Sequence, residues 1–107
     1  MKDIIKVKIL GHSWEVRFLD RKLMFDGNNG TCWHLHKAID IATDLTPEEA
    51  KFILMHEITH AILGICGRTF ENNLDHESIC ETVAWHIDEM IKIRDFVIKE
   101  RFGKNNE

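Results

Sequence analysis

The 107-residue sequence contains no tyrosine, a single proline and three cysteines, and no two cysteines form a CxxC pair. An odd number of cysteines without paired spacing argues against a disulfide framework and is typical of reduced thiols. No apolar run approaches the roughly 20 residues that a transmembrane helix needs. Residues 1–10 alternate charged and apolar side chains and lack the apolar block of a signal peptide. These absences predict a cytoplasmic protein.

An excess of positive charge is also missing, since 14 Lys and Arg stand against 18 Asp and Glu, for a net charge of −4. This balance gives no support to non-specific binding of nucleic acid or of an anionic membrane, so we expect neither as a partner. A chain of this length with 44% hydrophobic residues can bury one modest core. Without repeats or linkers, the sequence predicts a single domain over residues 1–107.

The N-terminal part of the chain carries the pattern of short strands. Apolar and charged residues alternate over residues 5–9 and 14–18, which is the period of half-buried strands. Gly11 stands between these segments, where a hairpin turn is expected. Residues 23–25 and 38–42 are two further strand candidates. The first half of the sequence therefore predicts a small antiparallel sheet.

Two helices are predicted to follow. Thr46 is in position to cap the first one, with Pro47 at the first helical position and Glu49 three residues after the cap. This helix should extend to about Gly64. A second, longer helix is expected over residues 75–102, where apolar residues recur at helical spacing. The pattern predicts an α+β fold, a small N-terminal sheet with an edge strand packed on two main helices.

The first predicted helix carries His56, Glu57 and His60 in an HExxH pattern. Residues four apart are neighbours on one helix face, so the two imidazoles can bind one zinc ion. Glu57 is then placed to act as general base on a metal-bound water. Apolar residues dominate segment 52–66, so we expect these polar groups to be buried and satisfied by the metal. The alternative is a pair of core histidines bonded to the backbone, with Glu57 in an ion pair.

A zinc site of this kind needs a third protein ligand and keeps a fourth position for water. Glu77 and Glu81 are four residues apart on the second helix, so both can face the first helix. One of them can bind the metal while the other accepts a hydrogen bond from a ligand histidine. The spacing alone leaves the choice between them open. Weaker candidates for the third ligand are Glu71, Asp75, His76 and His86.

The HExxH motif, followed by ESICETVA at residues 77–84, resembles the minimal gluzincin metallopeptidases, in particular the small phage and mobile-element peptidases of the ImmA/IrrE-like group. That family pairs HExxH with an ExxAN-x-FA segment on the next helix. The resemblance spans about residues 38–91 and implies zinc as cofactor with Glu77 as third ligand. Glu81 stands where the family has Asn. It would either accept a hydrogen bond from a ligand histidine or compete with Glu77 as the third ligand. The resemblance also implies that strand 38–42 is an edge strand to which an extended substrate adds.

Together these features predict a zinc-dependent metallopeptidase, with Glu57 as general base, that cleaves a specific protein target, by resemblance a regulator such as a repressor. Because tyrosine is absent, stabilisation of the oxyanion falls to a histidine, an arginine or backbone N–H groups. The candidate histidines are His34, His36, His76 and His86. Cys32, His34 and His36 are also a candidate second metal site if that segment is extended. The alternative functions are a zinc-stapled, non-catalytic interaction module and a metal-free helical adaptor.

Overall fold

A computed structural model describes residues 2–67 and 76–103 of the chain. Within these ranges the main elements are β1 (Ile4–Ile9), β2 (His12–Leu19), β3 (Gly30–Trp33), β4 (Ala38–Ala42), α1 (Pro47–Ile65) and α2 (His76–Arg101). The predicted α+β fold is confirmed, and α2 is the longer helix. That residues 1–107 form a single domain remains a prediction.

Strands β1 and β2 form the predicted hairpin. They pair in antiparallel register from Ile4 opposite Arg17 to Ile9 opposite His12. The turn residues Leu10 and Gly11 both have positive φ, 48° and 83°. A two-residue turn with positive φ at both positions matches the right-handed twist of the flanking strands. The apolar residues that alternate along the hairpin all face the core, as predicted: Ile5, Val7, Ile9, Trp14, Val16 and Phe18.

The sheet has the order β1-β2-β4-β3, which corrects the sequence interpretation of residues 38–42. Strand β4 is an interior strand, paired in parallel with β2 and antiparallel with β3. The sheet is therefore mixed and not antiparallel as predicted, because β4 lies parallel to β2, and the edge strand beside α1 is β3. All five residues of β4 are buried, and α1 packs on one face of the strand. The continuous burial of Ala38–Ala42 is characteristic of such an interior strand.

Residues 23–25 do not form the predicted strand. The chain makes two short 3-10 helices there, Arg21–Leu23 and Phe25–Gly27. Two parallel strands need a crossover connection, and this segment is part of the one that joins β2 to β4. Met24, between the two short helices, is buried, and the Phe25 ring meets the Trp33 ring edge-on at 5.5 Å.

Helix α1 begins at the predicted cap. The backbone N–H of Glu49 donates to the Thr46 hydroxyl at 3.1 Å, and the Glu49 carboxylate accepts from the Thr46 N–H at 2.9 Å. This reciprocal pair satisfies two backbone donors at the helix start. Helix α1 packs on β3, β4 and α2, and α2 also packs on β1. Among the described residues, no helix is long and apolar enough to cross a membrane.

Candidate metal centre

The HExxH motif lies in the middle of α1, and its two histidines share one face. The ring centroids of His56 and His60 are 4.9 Å apart, with an angle of 73° between the ring planes. Both side chains are exposed, so the expectation that the imidazoles are buried is wrong. The sheet and α2 cover the opposite face of α1, where the buried residues include Leu54, Ile58 and Ile62. The histidines are thus open to a metal ion, and two imidazoles at this spacing suit zinc.

Of the motif's His56, Glu57 and His60, only Glu57 is buried, with 7% of its surface exposed. Its side chain lies against the edge strand, since a Cβ added at Gly30 would be 3.1 Å from Oε2 of Glu57. Burial raises the pKa of Glu57, and the positive charge of His56 opposes this shift. Among the described residues, no hydrogen bond or ion pair holds the carboxylate. A carboxylate with a raised pKa beside two exposed imidazoles is suited to accept and release a proton.

The third metal ligand is not identified by the described side chains. Glu77 lies in the first turn of α2, but its side chain, like those of His76, Glu71 and Asp75, is outside the described part. Glu81 is described and exposed on α2. Within residues 2–67 and 79–103, no three His, Cys, Asp or Glu side chains form a group that could hold a metal. The choice between Glu77 and Glu81 therefore remains a prediction.

The segment with Cys32, His34 and His36 does not form the second metal site considered from the sequence. Strand β3 ends at Trp33, and a turn follows in which the Lys37 N–H donates to the His34 carbonyl at 3.3 Å. The turn separates the two histidines. The His36 ring faces Trp33 at 6.4 Å, whereas the His34 ring lies over α1 at Gly64.

Strand β3 gives the site an open edge. It pairs with β4 on one side, and no strand among the described residues pairs with it on the other. Two cavities flank the histidine face of α1 at the two ends of β3. One, of about 440 Å³, is lined by Asn29, Phe52 and Ile53, among others. The other, of about 390 Å³, is lined by His34 and Gly64, among others. A larger cavity of about 650 Å³ includes Lys6 and Lys8 in its lining but none of the motif residues, so we assign it no part in the chemistry.

Comparisons with protein-family models, with curated proteins and with solved structures find no match to this chain. The resemblance to the gluzincin peptidases therefore depends on the motif residues and their spacing alone.

Proposed function

We propose that this protein is a zinc-dependent metallopeptidase that cleaves a specific protein or peptide target. The observation that carries the proposal is the juxtaposition of the exposed His56–His60 pair, the buried Glu57 and the edge strand β3. Each part has a chemical counterpart in peptide hydrolysis. The imidazoles bind metal, the carboxylate handles a proton, and the strand edge offers backbone groups to an extended chain.

His56 and His60 would hold the zinc ion, with Glu77 proposed as third ligand and Glu81 as the support of a ligand histidine or as the rival third ligand. When bound, zinc polarises the scissile carbonyl and makes water a stronger acid. Glu57 would accept the proton of the attacking water and deliver it to the leaving nitrogen. The raised pKa of Glu57 lies closer to the pH at which the enzyme works. This favours both the uptake of the proton from water and its release to the leaving nitrogen.

The substrate would lie along the free edge of β3 as an added strand. Backbone hydrogen bonds at this edge align an extended peptide without regard to its sequence, and pockets for its side chains then select the target. The cavity at Phe52 and Ile53 offers an apolar pocket at one end of this edge. In a domain of this size, a specific regulator is a more suitable target than proteins in general.

A cytoplasmic site of action is part of this proposal. Cys32, Cys66 and Cys80 are all free thiols, which is the usual state of cysteine in a reducing compartment.

The first test is elemental analysis of protein purified without chelators or a histidine tag. We expect one zinc ion per chain, lost in His60→Ala and retained in His36→Ala, which removes an exposed imidazole outside the motif. No metal and no uptake of added zinc would refute the proposal. The zinc-loaded chain should then cleave members of a random peptide library at a defined position, which mass spectrometry reads directly.

The same measurement tests the third ligand. Glu77→Ala should abolish stoichiometric zinc binding, whereas Glu81→Ala should weaken it by about 10- to 100-fold, as expected for a residue that supports a ligand. The reverse result would make Glu81 the ligand.

A further inference from the structure

A third imidazole lies on the histidine face of α1, although it comes from another part of the chain. His34 directly follows strand β3, and its ring lies so close to Gly64 that a Cβ added there would overlap it. Gly64 follows His60 by one helical turn and so lies on the same face. The imidazoles of His56, His60 and His34 therefore form a row along α1.

The ring of His34 is held by contacts from the sheet. The buried Trp14 meets it edge-on, with ring centroids 6.4 Å apart. Its Nε2 atom lies 4.0 Å from the sulfur of Cys32. Burial raises the pKa of the Cys32 thiol to about 12, and the nearby negative charge of Glu57 adds to this shift. The Nε2 edge of His34 thus faces the thiol of Cys32, which itself lies within electrostatic reach of Glu57.

The other donors considered from the sequence are less suitable. Tyrosine is absent from the chain. The His36 ring faces Trp33, on the other side of the turn from α1. His86 lies on α2 and is half-buried, and the side chain of His76 is outside the described part. Of His34, His36 and His86, His34 is the one whose ring is shown against α1, at Gly64.

We infer that His34 is a catalytic residue whose ring N–H donates a hydrogen bond to the carbonyl oxygen of the scissile peptide bond as that oxygen gains negative charge. This inference depends on the proposed function. Water adds to the carbonyl carbon, its proton passes to Glu57 and then to the leaving nitrogen, and the C–N bond breaks. His34 transfers no proton in this sequence, because its N–H group only stabilises the charge that develops on oxygen.

The test compares His34→Ala with His36→Ala, which removes an imidazole from the same turn but from the other side. With a peptide identified in the library, His34→Ala should lower kcat about 100-fold at nearly constant KM. His34→Gln, which keeps an N–H donor, should recover part of the loss. His36→Ala should change kcat by less than about twofold.

A second readout needs no catalysis. Methylphosphonate is a small tetrahedral anion that imitates the charged oxygen, and its binding to zinc-loaded protein can be followed by calorimetry. We expect His34→Ala to weaken this binding at least about 10-fold, and His36→Ala to leave it unchanged. Zinc content and melting temperature should be the same in wild type and His34→Ala.

Four results would overturn the inference. Unchanged kcat and methylphosphonate affinity in His34→Ala would show that His34 contributes no donor. Loss of zinc in His34→Ala would make it a metal ligand instead. Zinc-loaded wild type that fails to bind methylphosphonate would show that no oxyanion site is formed. Wild type that takes up no zinc would refute the proposed function, and this inference with it.

Discussion

Asp40 and Glu57 are both buried carboxylates, with 4% and 7% of their surface exposed, but their surroundings differ. Asp40 accepts hydrogen bonds from the Arg17 guanidinium at 2.7 and 3.1 Å and from the Trp33 indole at 2.9 Å. For Glu57, no hydrogen bond or ion pair is found among the described residues, and burial raises its pKa.

The difference separates a carboxylate that stabilises the fold from one available for chemistry. The hydrogen bonds of Asp40 offset the cost of burying its charge and tie β4 to β2 and β3. In contrast, the described residues place only the favourable charge of His56 near Glu57. Perturbed titratable groups of this second kind occur preferentially at functional sites. Substitutions at the two positions should therefore have opposite consequences.

The largest effect is expected for Glu57→Gln. Loss of the proposed general base should lower the rate of peptide cleavage by about 10²- to 10⁴-fold, whereas zinc content should stay the same. The free energy of unfolding near pH 7 should be unchanged or higher, because the variant no longer buries a charge. Peptide cleavage assays and urea denaturation measure the two quantities.

Glu15→Gln is the matched control for Glu57→Gln, since Glu15 is a half-exposed glutamate on β2 that lines the cavity to which no part in the chemistry is assigned. It should leave cleavage unaffected. Full activity of Glu57→Gln would contradict the proposed base and favour a zinc site that only joins the helices.

The next largest effect is expected for Asp40→Asn. Removing the charge weakens the hydrogen bonds to Arg17 and Trp33, so the free energy of unfolding should fall by about 2 kcal/mol. Zinc content should not change, since Asp40 faces away from α1. The control is Asp20→Asn, an exposed carboxylate that accepts one long bond from Thr43 at 3.4 Å, and it should stay within about 0.5 kcal/mol of wild type. Equal stabilities for the two variants would remove the structural role of Asp40.

The smallest effect concerns Asp44, an exposed carboxylate that accepts hydrogen bonds from Arg21 at 2.7 and 3.1 Å. Its hydrogen bond with Arg21, together with the charge of Arg21, lowers the pKa of Asp44. A lowered pKa in the folded state stabilises the protein above the unfolded pKa of about 3.9, and this contribution is lost as the pH falls through the folded value. Asp44→Asn should therefore slightly reduce the loss of stability as the pH falls below about 4.

Urea denaturation across this pH range provides the measurement for Asp44→Asn. In an Arg21→Gln background, the same substitution should have no effect on the pH dependence. An equal effect in both backgrounds would show that the ion pair with Arg21 does not cause the lowered pKa of Asp44.

The sequence by itself determined the features that depend on neighbouring residues. The alternation over residues 5–9 and 14–18 predicted the two strands of the hairpin, because the side chains of a strand alternate between its faces. Thr46, Pro47 and Glu49 predicted the start of α1, since a cap involves only the first turn. The HExxH spacing placed two imidazoles on one helix face for the same local reason. The α+β class followed from these elements.

Only the tertiary structure decided which of these elements meet. The sequence of residues 38–42 does not show whether the strand lies at the edge or in the interior of the sheet. Pairing with both β2 and β3 makes it an interior strand. The packing of the sheet and α2 decided that the imidazoles of α1 face outwards while Glu57 is buried. It also brought His34 onto Gly64, 30 positions further along the chain. Local patterns fix the period of an element, whereas its partners are set by which apolar surfaces the whole chain can bury together.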